Sequence, residues 1–175
     1  MNYHKIEKTS VANGPGVRVT LWVSGCRIGC HNCQNPQTWD FDSGKLFDNF
    51  AKEELFESLN KSYIQGITFS GGHPLEPENV ETVYLLIKEI KEKFPTKDIW
   101  LYTGYTWEYI FPTIMTSDFN LDRFYRQEII NMCDVVVDGP FIEEQKDLTL
   151  KWCGSRNQRV INCKKTLEEG RIILY

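Results

Sequence analysis

Apolar residues along this chain follow two alternating spacings, one typical of buried strands and one typical of amphipathic helices. Short runs rich in β-branched and aromatic residues predict strands at 17–24, 66–70, 98–103 and 134–138, with shorter candidates at 158–162 and 171–174. Apolar residues at helical spacing predict helices over 47–63, 77–94 and 121–132. A proline at each end of the second helix, Pro77 and Pro95, supports its bounds.

The alternation of strands and helices predicts an α/β fold with parallel strands joined by right-handed crossovers. The strand interiors are apolar almost throughout, as expected of strands covered on both faces. A closed barrel of eight such units needs about 250 residues. The 175 residues here, with no repeat or linker, therefore predict a single domain over 1–175, built as an open partial (β/α) barrel with parallel strands. We expect about six strands or fewer, since such barrels spend about 30 residues on each unit.

Unusual residues follow the predicted strands at the end where such folds place their sites. Cys26 follows the first strand, and the segments 71–73, 103–105 and 138–140 follow the next three. Because the carboxyl ends of parallel strands meet at one edge of the sheet, we expect these loops to form one site.

Composition narrows the class of protein. The net charge is −4, from 20 basic and 24 acidic residues, and no basic block stands out, so a nucleic-acid partner is disfavoured. No apolar run is long enough to cross a membrane, and the start of the chain has no apolar signal region. We therefore expect a cytoplasmic protein, in which the six cysteines serve as metal ligands, redox groups or core thiols.

The spacing of Cys26, Cys30 and Cys33 is the strongest chemical signal in the sequence. Thiolates this close can surround one small metal centre, and soft sulfur ligands favour zinc, Cu(I) or iron–sulfur clusters. Three cysteines would hold three irons of a 4Fe–4S cluster and leave the fourth iron open. The alternative is a structural zinc site completed by His31 or His73. The remaining cysteines lack close ligand spacing and have no assigned role; they are Cys133, Cys153 and Cys163.

The Cys-x3-Cys-x2-Cys spacing resembles that of the radical S-adenosylmethionine superfamily. The lead-in at 13–18 (Asn-Gly-Pro-Gly-Val-Arg) and the segment 23–26 (Val-Ser-Gly-Cys) resemble those of the activating enzymes of glycyl-radical proteins. Further segments are similar to the branch of that family whose substrate is the anaerobic ribonucleoside-triphosphate reductase. They are 35–39 (Asn-Pro-Gln-Thr-Trp), 70–72 (Ser-Gly-Gly), 98–105 and 154–159, so the resemblance covers nearly the whole chain.

The resemblance implies a fold of the radical S-adenosylmethionine type, an activity and its cofactors. Cys26, Cys30 and Cys33 would hold one 4Fe–4S cluster, whose open iron would chelate the methionine part of S-adenosylmethionine. An electron from a flavodoxin or ferredoxin would cleave the sulfonium to methionine and a 5′-deoxyadenosyl radical. That radical would take a hydrogen atom from a glycine of the large subunit of the reductase, leaving a glycyl radical. The residues implied as contacts of S-adenosylmethionine are Asn32, Cys33, Gln34, Ser70, Gly71, Gly72 and His73.

At His73 the sequence departs from the family, which usually has an acidic residue after the Gly-Gly pair to bind the methionine ammonium. A protonated imidazole would repel that ammonium, so we expect the backbone carbonyl to replace the missing acid. Arg18 is interpreted either as a carboxylate-binding residue or as one partner of a strand-edge salt bridge. Asp138 is interpreted either as a functional group at a strand end or as the cap of a turn.

Two alternative functions remain at the level of sequence. One is an activase of another glycyl-radical enzyme, or a small radical enzyme acting on a free metabolite. The absence of an inserted cysteine block after Cys33 favours the activase over the metabolite enzyme. The other alternative is a non-catalytic zinc or iron–sulfur module that docks on a partner.

Overall fold

A computed structural model describes residues 1–113 and 120–175 and places seven strands in one open, mixed sheet. The strands are β1 (Asn2–Ser10), β2 (Val17–Val23), β3 (Lys45–Leu46), β4 (Ile64–Gly71), β5 (Asp98–Tyr102), β6 (Val135–Asp138) and β7 (Arg159–Asn162). Their spatial order is β3-β1-β2-β4-β5-β6-β7. The predicted α/β class and the open sheet are confirmed.

The centre of the sheet is parallel, whereas both of its edges are antiparallel. Strands β2, β4, β5 and β6 are parallel neighbours in chain order. Strand β1 pairs antiparallel with β2 and with β3, and β7 pairs antiparallel with β6. The expectation of parallel strands only, six or fewer in number, is therefore wrong. Free edges of a sheet can be extended by short segments through antiparallel pairing, which needs no crossover helix. The 171–174 candidate contributes a single bridge, between Leu174 and Ile161.

The three helices expected from apolar spacing all lie between parallel strands and close to their predicted bounds. The helices are α1 (Asn49–Leu59), α2 (Pro77–Lys93), α3 (Trp107–Ile110), α4 (Leu121–Met132) and α5 (Cys163–Glu169). Side-chain caps explain where α1 and α4 begin, since Asp48 accepts from the Ala51 N–H at 2.9 Å and Asn120 accepts from the Arg123 N–H at 2.7 Å. The short helices α3 and α5 were not expected. No helix in the described parts of the chain is long and apolar enough to cross a membrane.

One face of the sheet packs against the helices. With right-handed crossovers and strands in sequential spatial order, the connecting helices lie on the same face. Buried aliphatic and aromatic residues of α1, α2 and α4 form one core with alternate residues of the central strands. The strand residues of that core are Tyr3, Val19, Leu21, Val23, Ile64, Ile67, Phe69, Ile99, Leu101, Val136 and Ile161.

The opposite face of the sheet is covered by loops and contains polar side chains. Arg18 is fully buried there. Its Nε donates to Thr68 Oγ1 at 2.9 Å, and its Nη2 pairs with Asp98. Of the two interpretations of Arg18, the structure supports the salt bridge. The expectation of apolar strands on both faces is wrong for β2 and β4, whose buried Arg18 and Thr68 satisfy one another on this face. It holds for β5 and β6, where Trp100, Val135 and Val137 form a second buried apolar cluster.

Candidate functional site

A cavity of about 420 Å³ opens at the carboxyl ends of the parallel strands. The loops after all four of these strands contribute to its wall, as the sequence predicted. The wall includes the three clustered cysteines from the loop after β2 and the segment Ser70, Gly71 and Gly72 at the end of β4. It also includes Thr103 after β5 and Pro140 after β6.

The loop that holds the cysteines is tied to the segment that follows it. The Gly25 N–H donates to the Thr38 carbonyl at 2.8 Å, and the Cys26 N–H donates to the Trp39 carbonyl at 3.0 Å. Gly25 has a φ of +91°, and a Cβ there would lie 2.1 Å from the ring of Phe41. Only glycine fits this close approach, so the Gly25-Cys26 dipeptide fixes where the cysteine loop begins.

All six cysteines are free thiols, and the three clustered ones are half-buried. Burial raises the pKa of the Cys26 and Cys30 thiols, because desolvation disfavours the thiolate. Backbone N–H groups surround the sulfur atoms: that of Asn35 donates to Cys33 Sγ at 3.4 Å, and those of Ile28 and Gly29 lower the pKa of Cys26. Amide donors stabilise thiolate sulfur, so this setting fits an iron–sulfur cluster.

In residues 1–113 and 120–175, no three His, Cys, Asp or Glu side chains stand close enough together to hold a metal ion as they are. The three cysteines line one cavity, but their sulfur atoms are not yet arranged to bind a metal together. Because metal binding couples to local folding, the loop from Cys26 to Cys33 would close around a metal centre only when one binds. The donor set, three soft thiols with amide groups around them, is the type that iron–sulfur clusters use.

The glycine pair after β4 lies against the end of β2. Gly71 has a φ of +101°, and a Cβ there would come within 2.8 Å of the Val23 backbone. A Cβ on Gly72 would lie 2.7 Å from the Gly25 carbonyl oxygen. Both positions therefore require glycine for close backbone approach, and they bring the end of β4 next to the cysteine loop.

The expected contacts of S-adenosylmethionine do not all lie in the cavity wall. Cys33, Gln34, Ser70, Gly71, Gly72 and His73 line it. Asn32 is exposed, has a φ of +54° and lies outside that wall. Asn32 lies in the turn that the bond from the Cys33 N–H to the Cys30 carbonyl closes at 3.1 Å.

The His73 side chain is occupied by other residues of the protein. It is 1% exposed; its Nδ1 lies 3.1 Å from Glu76 Oε1 and its Nε2 lies 2.7 Å from Thr103 Oγ1. Burial lowers the pKa of His73 from its usual 6.5, so the ring is neutral at pH 7. The partners assign the proton to Nδ1, which donates to the carboxylate, while Nε2 accepts from the threonine hydroxyl. With both ring nitrogens engaged, His73 is not a candidate fourth ligand for zinc.

The His73 carbonyl is engaged as well. It accepts from the Glu76 N–H at 3.2 Å and from Asn79 Nδ2 at 3.1 Å. A carbonyl oxygen has two lone pairs, so these two donors leave it none for a further hydrogen bond. The expectation that this carbonyl replaces the missing acid is therefore not supported by the geometry.

Glu76 was missed by the sequence-based reasoning, although it is buried beside the cysteine loop. Its side chain is 2% exposed, and its Oε1 accepts from the Arg27 N–H at 2.9 Å. Burial by itself would raise the pKa of Glu76. Hydrogen bonds from His73 and from the Arg27 backbone outweigh burial and lower that pKa to about 2. The signal that could have found it is an acidic residue three positions after His73, directly before the helix-starting Pro77.

Residues after Pro140 in the segment between β6 and β7 also line the cavity, although the sequence-based reasoning placed only the 138–140 loop there. Tyr102 donates its hydroxyl to the Trp152 carbonyl at 2.8 Å, and Trp152 has a φ of +60°. This conformation brings Trp152 and Cys153 into the cavity wall. Cys153 is thus a fourth thiol in the same cavity.

Asp138 is almost fully buried at the end of β6 and accepts from the Trp107 N–H at 2.8 Å. It also pairs with Arg159 of β7. These contacts hold α3 and the antiparallel edge in place, and Asp138 lies outside the cavity wall. These contacts support the structural interpretation of Asp138, with hydrogen bonds to α3 and β7 in place of the turn cap that the sequence suggested.

Comparison with known proteins identifies the class of this site. A family model described as a 4Fe-4S single cluster domain matches residues 12–161, which include all three clustered cysteines and the cavity-lining glycines. The chain thus belongs to the family of 4Fe–4S single cluster domains, which supports the expected type of cluster. The zinc alternative has no support from this match.

Individual relatives define the family more closely. The anaerobic ribonucleoside-triphosphate reductase-activating protein of Haemophilus influenzae is 41% identical over 162 residues, covering 90% of this chain and 96% of its own. The protein of the same name from Escherichia coli K12 is 38% identical over 164 residues, covering 91% and 97%. That of Enterobacteria phage T4 is 41% identical over 162 residues, covering 91% and 93%. The chain belongs to this family of activating enzymes, and the family resemblance seen in the sequence is confirmed.

Proposed function

We propose that this protein activates an anaerobic ribonucleoside-triphosphate reductase by means of a 4Fe–4S cluster and S-adenosylmethionine bound in the cavity. One observation carries the proposal: the three clustered cysteines and the Ser70–Gly72 segment line the same cavity at the carboxyl ends of the parallel strands. We assign the open sheet, on the same basis, to the partial barrels of the radical S-adenosylmethionine type.

Cys26, Cys30 and Cys33 are the proposed cluster ligands. Three thiolates satisfy three irons and leave the fourth open to a further ligand. When bound, the cluster and S-adenosylmethionine supply a one-electron reduction and a carbon-centred radical that can take a hydrogen atom from a glycine. The protein holds the two cofactors next to each other and keeps water away from that radical.

The character of the cavity suits S-adenosylmethionine, which combines a sulfonium cation with an adenine ring. Aromatic faces attract cations and stack on bases. Among the described residues of the wall there is no lysine or arginine. Its volume of about 420 Å³ is in the range of small-molecule sites. The aromatic residues of the wall are Trp22, Trp39, Tyr102, Phe141 and Trp152.

Polar groups for the methionine end come from the two neighbouring loops. Ser70 and the backbone of Gly71 and Gly72 lie on one side, and Gln34 beside Cys33 lies on the other. His73 closes the back of the wall with a neutral ring rather than offering a charge. Asn32 would reach the cofactor only if the cysteine loop closes around a cluster.

The open side of the cavity suits a substrate that is itself a protein. We propose the glycine-bearing loop of the large reductase subunit as that substrate and a flavodoxin or ferredoxin as the electron donor. The chain would act as one domain over residues 1–175. A cytoplasmic location, favoured by six unpaired thiols, is part of the same proposal.

The test is an anaerobic activation assay read by electron paramagnetic resonance (EPR). The cluster-loaded protein is mixed with the large reductase subunit, S-adenosylmethionine and a reductant, and a glycyl-radical signal is expected on the reductase. The Cys26→Ala variant is the control and should give none. A signal only on another glycyl-radical enzyme would support the alternative activase. A colourless protein that contains zinc would support the docking module.

A further inference from the structure

We propose that Glu76 positions the cysteine loop relative to the loops after β4 and β5. This inference rests on the proposed function, because it assigns how the cluster side of the cavity is held against the S-adenosylmethionine side. The Glu76 carboxylate accepts from the Arg27 N–H at 2.9 Å and from the Arg27 guanidinium at 3.1 Å. It also lies 3.1 Å from His73 Nδ1, with its side chain almost fully buried.

The bond to the Arg27 N–H acts directly on Cys26. That N–H belongs to the peptide plane joining Cys26 to Arg27, so holding it limits rotation of the backbone after Cys26. The plane before Cys26 is held by the bond from its own N–H to the Trp39 carbonyl, at 3.0 Å. Both peptide planes around this cysteine are therefore fixed from outside the loop.

The next two cysteines are held differently. The Cys33 N–H donates to the Cys30 carbonyl at 3.1 Å, and the Asn35 N–H donates to Cys33 Sγ at 3.4 Å. These two bonds stay within residues 30–35, and the Cys30 thiol has one outside partner, the backbone of Phe141. Cys26 is thus the cysteine whose two flanking peptide planes are both held from outside the loop, and Glu76 is one of their two anchors.

Glu76 also connects the cysteine loop to the far side of the cavity. His73 lies between Glu76 and Thr103, at 3.1 Å and 2.7 Å. The Thr103 hydroxyl oxygen accepts from the Tyr105 N–H at 3.1 Å. One chain of hydrogen bonds therefore joins the loops after β2, β4 and β5.

Glu76 lies outside the cavity wall that the described residues form, so it is a positioning residue and not a catalytic one. Glu76 is the residue directly before the first turn of α2, and its carboxylate binds Arg27 and His73 and does not cap that helix. Charge-assisted hydrogen bonds to three donors make it a strong anchor. Without the carboxylate, the Arg27 N–H and the His73 ring N–H would lose their buried partner.

Glu78 provides a matched control on the same arginine. Its carboxylate accepts from Arg27 Nη1 at 2.7 Å but lies at the surface. The Arg27 N–H bonds to Glu76 and not to Glu78. Loss of Glu78 therefore removes a surface ion pair and leaves the peptide after Cys26 anchored.

The experiment compares wild type, Glu76→Gln and Glu78→Gln as full-length chains. Hydrogen exchange of the Arg27 amide is measured on the cluster-free protein. S-adenosylmethionine affinity, and its effect on the EPR spectrum of the reduced cluster, are measured on the cluster-loaded protein. For Glu76→Gln we expect cluster loading to persist, Arg27 exchange to become about tenfold faster and affinity to fall about tenfold, because a charged acceptor is lost. Glu78→Gln should match wild type in all of these.

Wild-type exchange and affinity in Glu76→Gln would overturn the proposal, as would equal effects of the two variants. If Glu76→Gln does not fold, Glu76→Asp takes its place, since it keeps the charge but withdraws it by one methylene. Glu76→Asp should then show faster Arg27 exchange than Glu78→Gln, and equal rates would also overturn the proposal. Failure of the proposed function would instead appear in wild type, as absence of a cluster or of S-adenosylmethionine binding.

Discussion

The two faces of the central sheet use the same four strands for different purposes. On the helix-covered face, paired residues are uniformly apolar, as in the row formed by Leu21, Phe69 and Leu101. On the loop-covered face, the adjacent row reads Thr20, Thr68 and Trp100. Because side chains alternate along a strand, residues one position apart face either the apolar core or the mixed polar and aromatic layer that leads to the cavity.

The comparison shows why one sheet can be stable and still carry a site. The helix-covered face buries large apolar side chains, the main source of stability. The other face pairs its buried polar groups with one another, as Arg18 does with Thr68 and Asp98, and ends in the cavity. Substitutions on the two faces should therefore change different measured quantities, stability on one and ligand binding on the other.

The largest expected effect is loss of the cluster in Cys26→Ala, because two thiolates cannot hold the cube. Iron and acid-labile sulfide per chain should fall to near the level of an unreconstituted sample. The matched variant is Cys133→Ala on the helix-covered face, where the thiol is buried. It should keep the cluster and lose only about 1 kcal/mol of stability. A full cluster in Cys26→Ala would show that the cavity cysteine is no more necessary for the cluster than the core cysteine.

The next effect is on stability. Phe69→Ala removes a fully buried ring from the helix-covered face and should lower the free energy of unfolding by about 3–5 kcal/mol. Its neighbour Ser70 faces the cavity, and Ser70→Ala should stay within about 0.5 kcal/mol of wild type while weakening S-adenosylmethionine binding. Urea denaturation of the cluster-free chains measures the free energy of unfolding of both variants. Similar losses in the two variants would show that the faces do not divide the roles.

A smaller effect is expected at the glycines with positive φ. Gly71→Ala combines a left-handed backbone with a Cβ 2.8 Å from the Val23 backbone, and should cost about 2–3 kcal/mol. Gly170 ends α5 at a φ of +65°, where an added Cβ meets nothing within 4 Å. Gly170→Ala should therefore cost only about 1 kcal/mol, again read by urea denaturation. Equal losses of stability in the two variants would mean that Gly71 packs less closely against the Val23 backbone than the structure shows.

The smallest effect is on the pH dependence of the cluster-free protein. The pKa of Glu76 is lowered to about 2 from its ordinary 4.5. The stability that this carboxylate contributes is therefore fully present above about pH 4.5 and is lost as the pH falls toward 2. Between pH 6 and 4 the loss should be about 1 kcal/mol or less. Thermal unfolding of wild type and Glu76→Gln measures it, and parallel curves would contradict a buried, charged Glu76.

The local pattern of apolar and polar residues predicted most of the helices and strands that form the helix-covered face. The bounds of α4 match the expected 121–132, because an amphipathic stripe fills that stretch and a capping asparagine, Asn120, directly precedes it. The central strands are likewise found within a few residues of their apolar runs. By contrast, β1 was not expected, since its residues are largely polar and it forms only by pairing with β2 near a sheet edge. Edge pairing depends on a partner strand that local pattern does not reveal.

The amino-acid sequence alone determined the class of fold and the family and supplied the proposed cysteine ligand set, because the patterns and motifs that carry them lie in short segments of the chain. Only the tertiary structure placed Cys153 in the cavity, turned Asn32 out of it, and joined Glu76, His73 and Thr103 into one chain of hydrogen bonds. These contacts join loops that are far apart in sequence, such as residues 73 and 103, and their distances follow from strand register. The family's acidic residue is expected at position 73, directly after the Gly-Gly pair. In this protein the carboxylate is that of Glu76, which binds the backbone of the cysteine loop and lies outside the cavity wall.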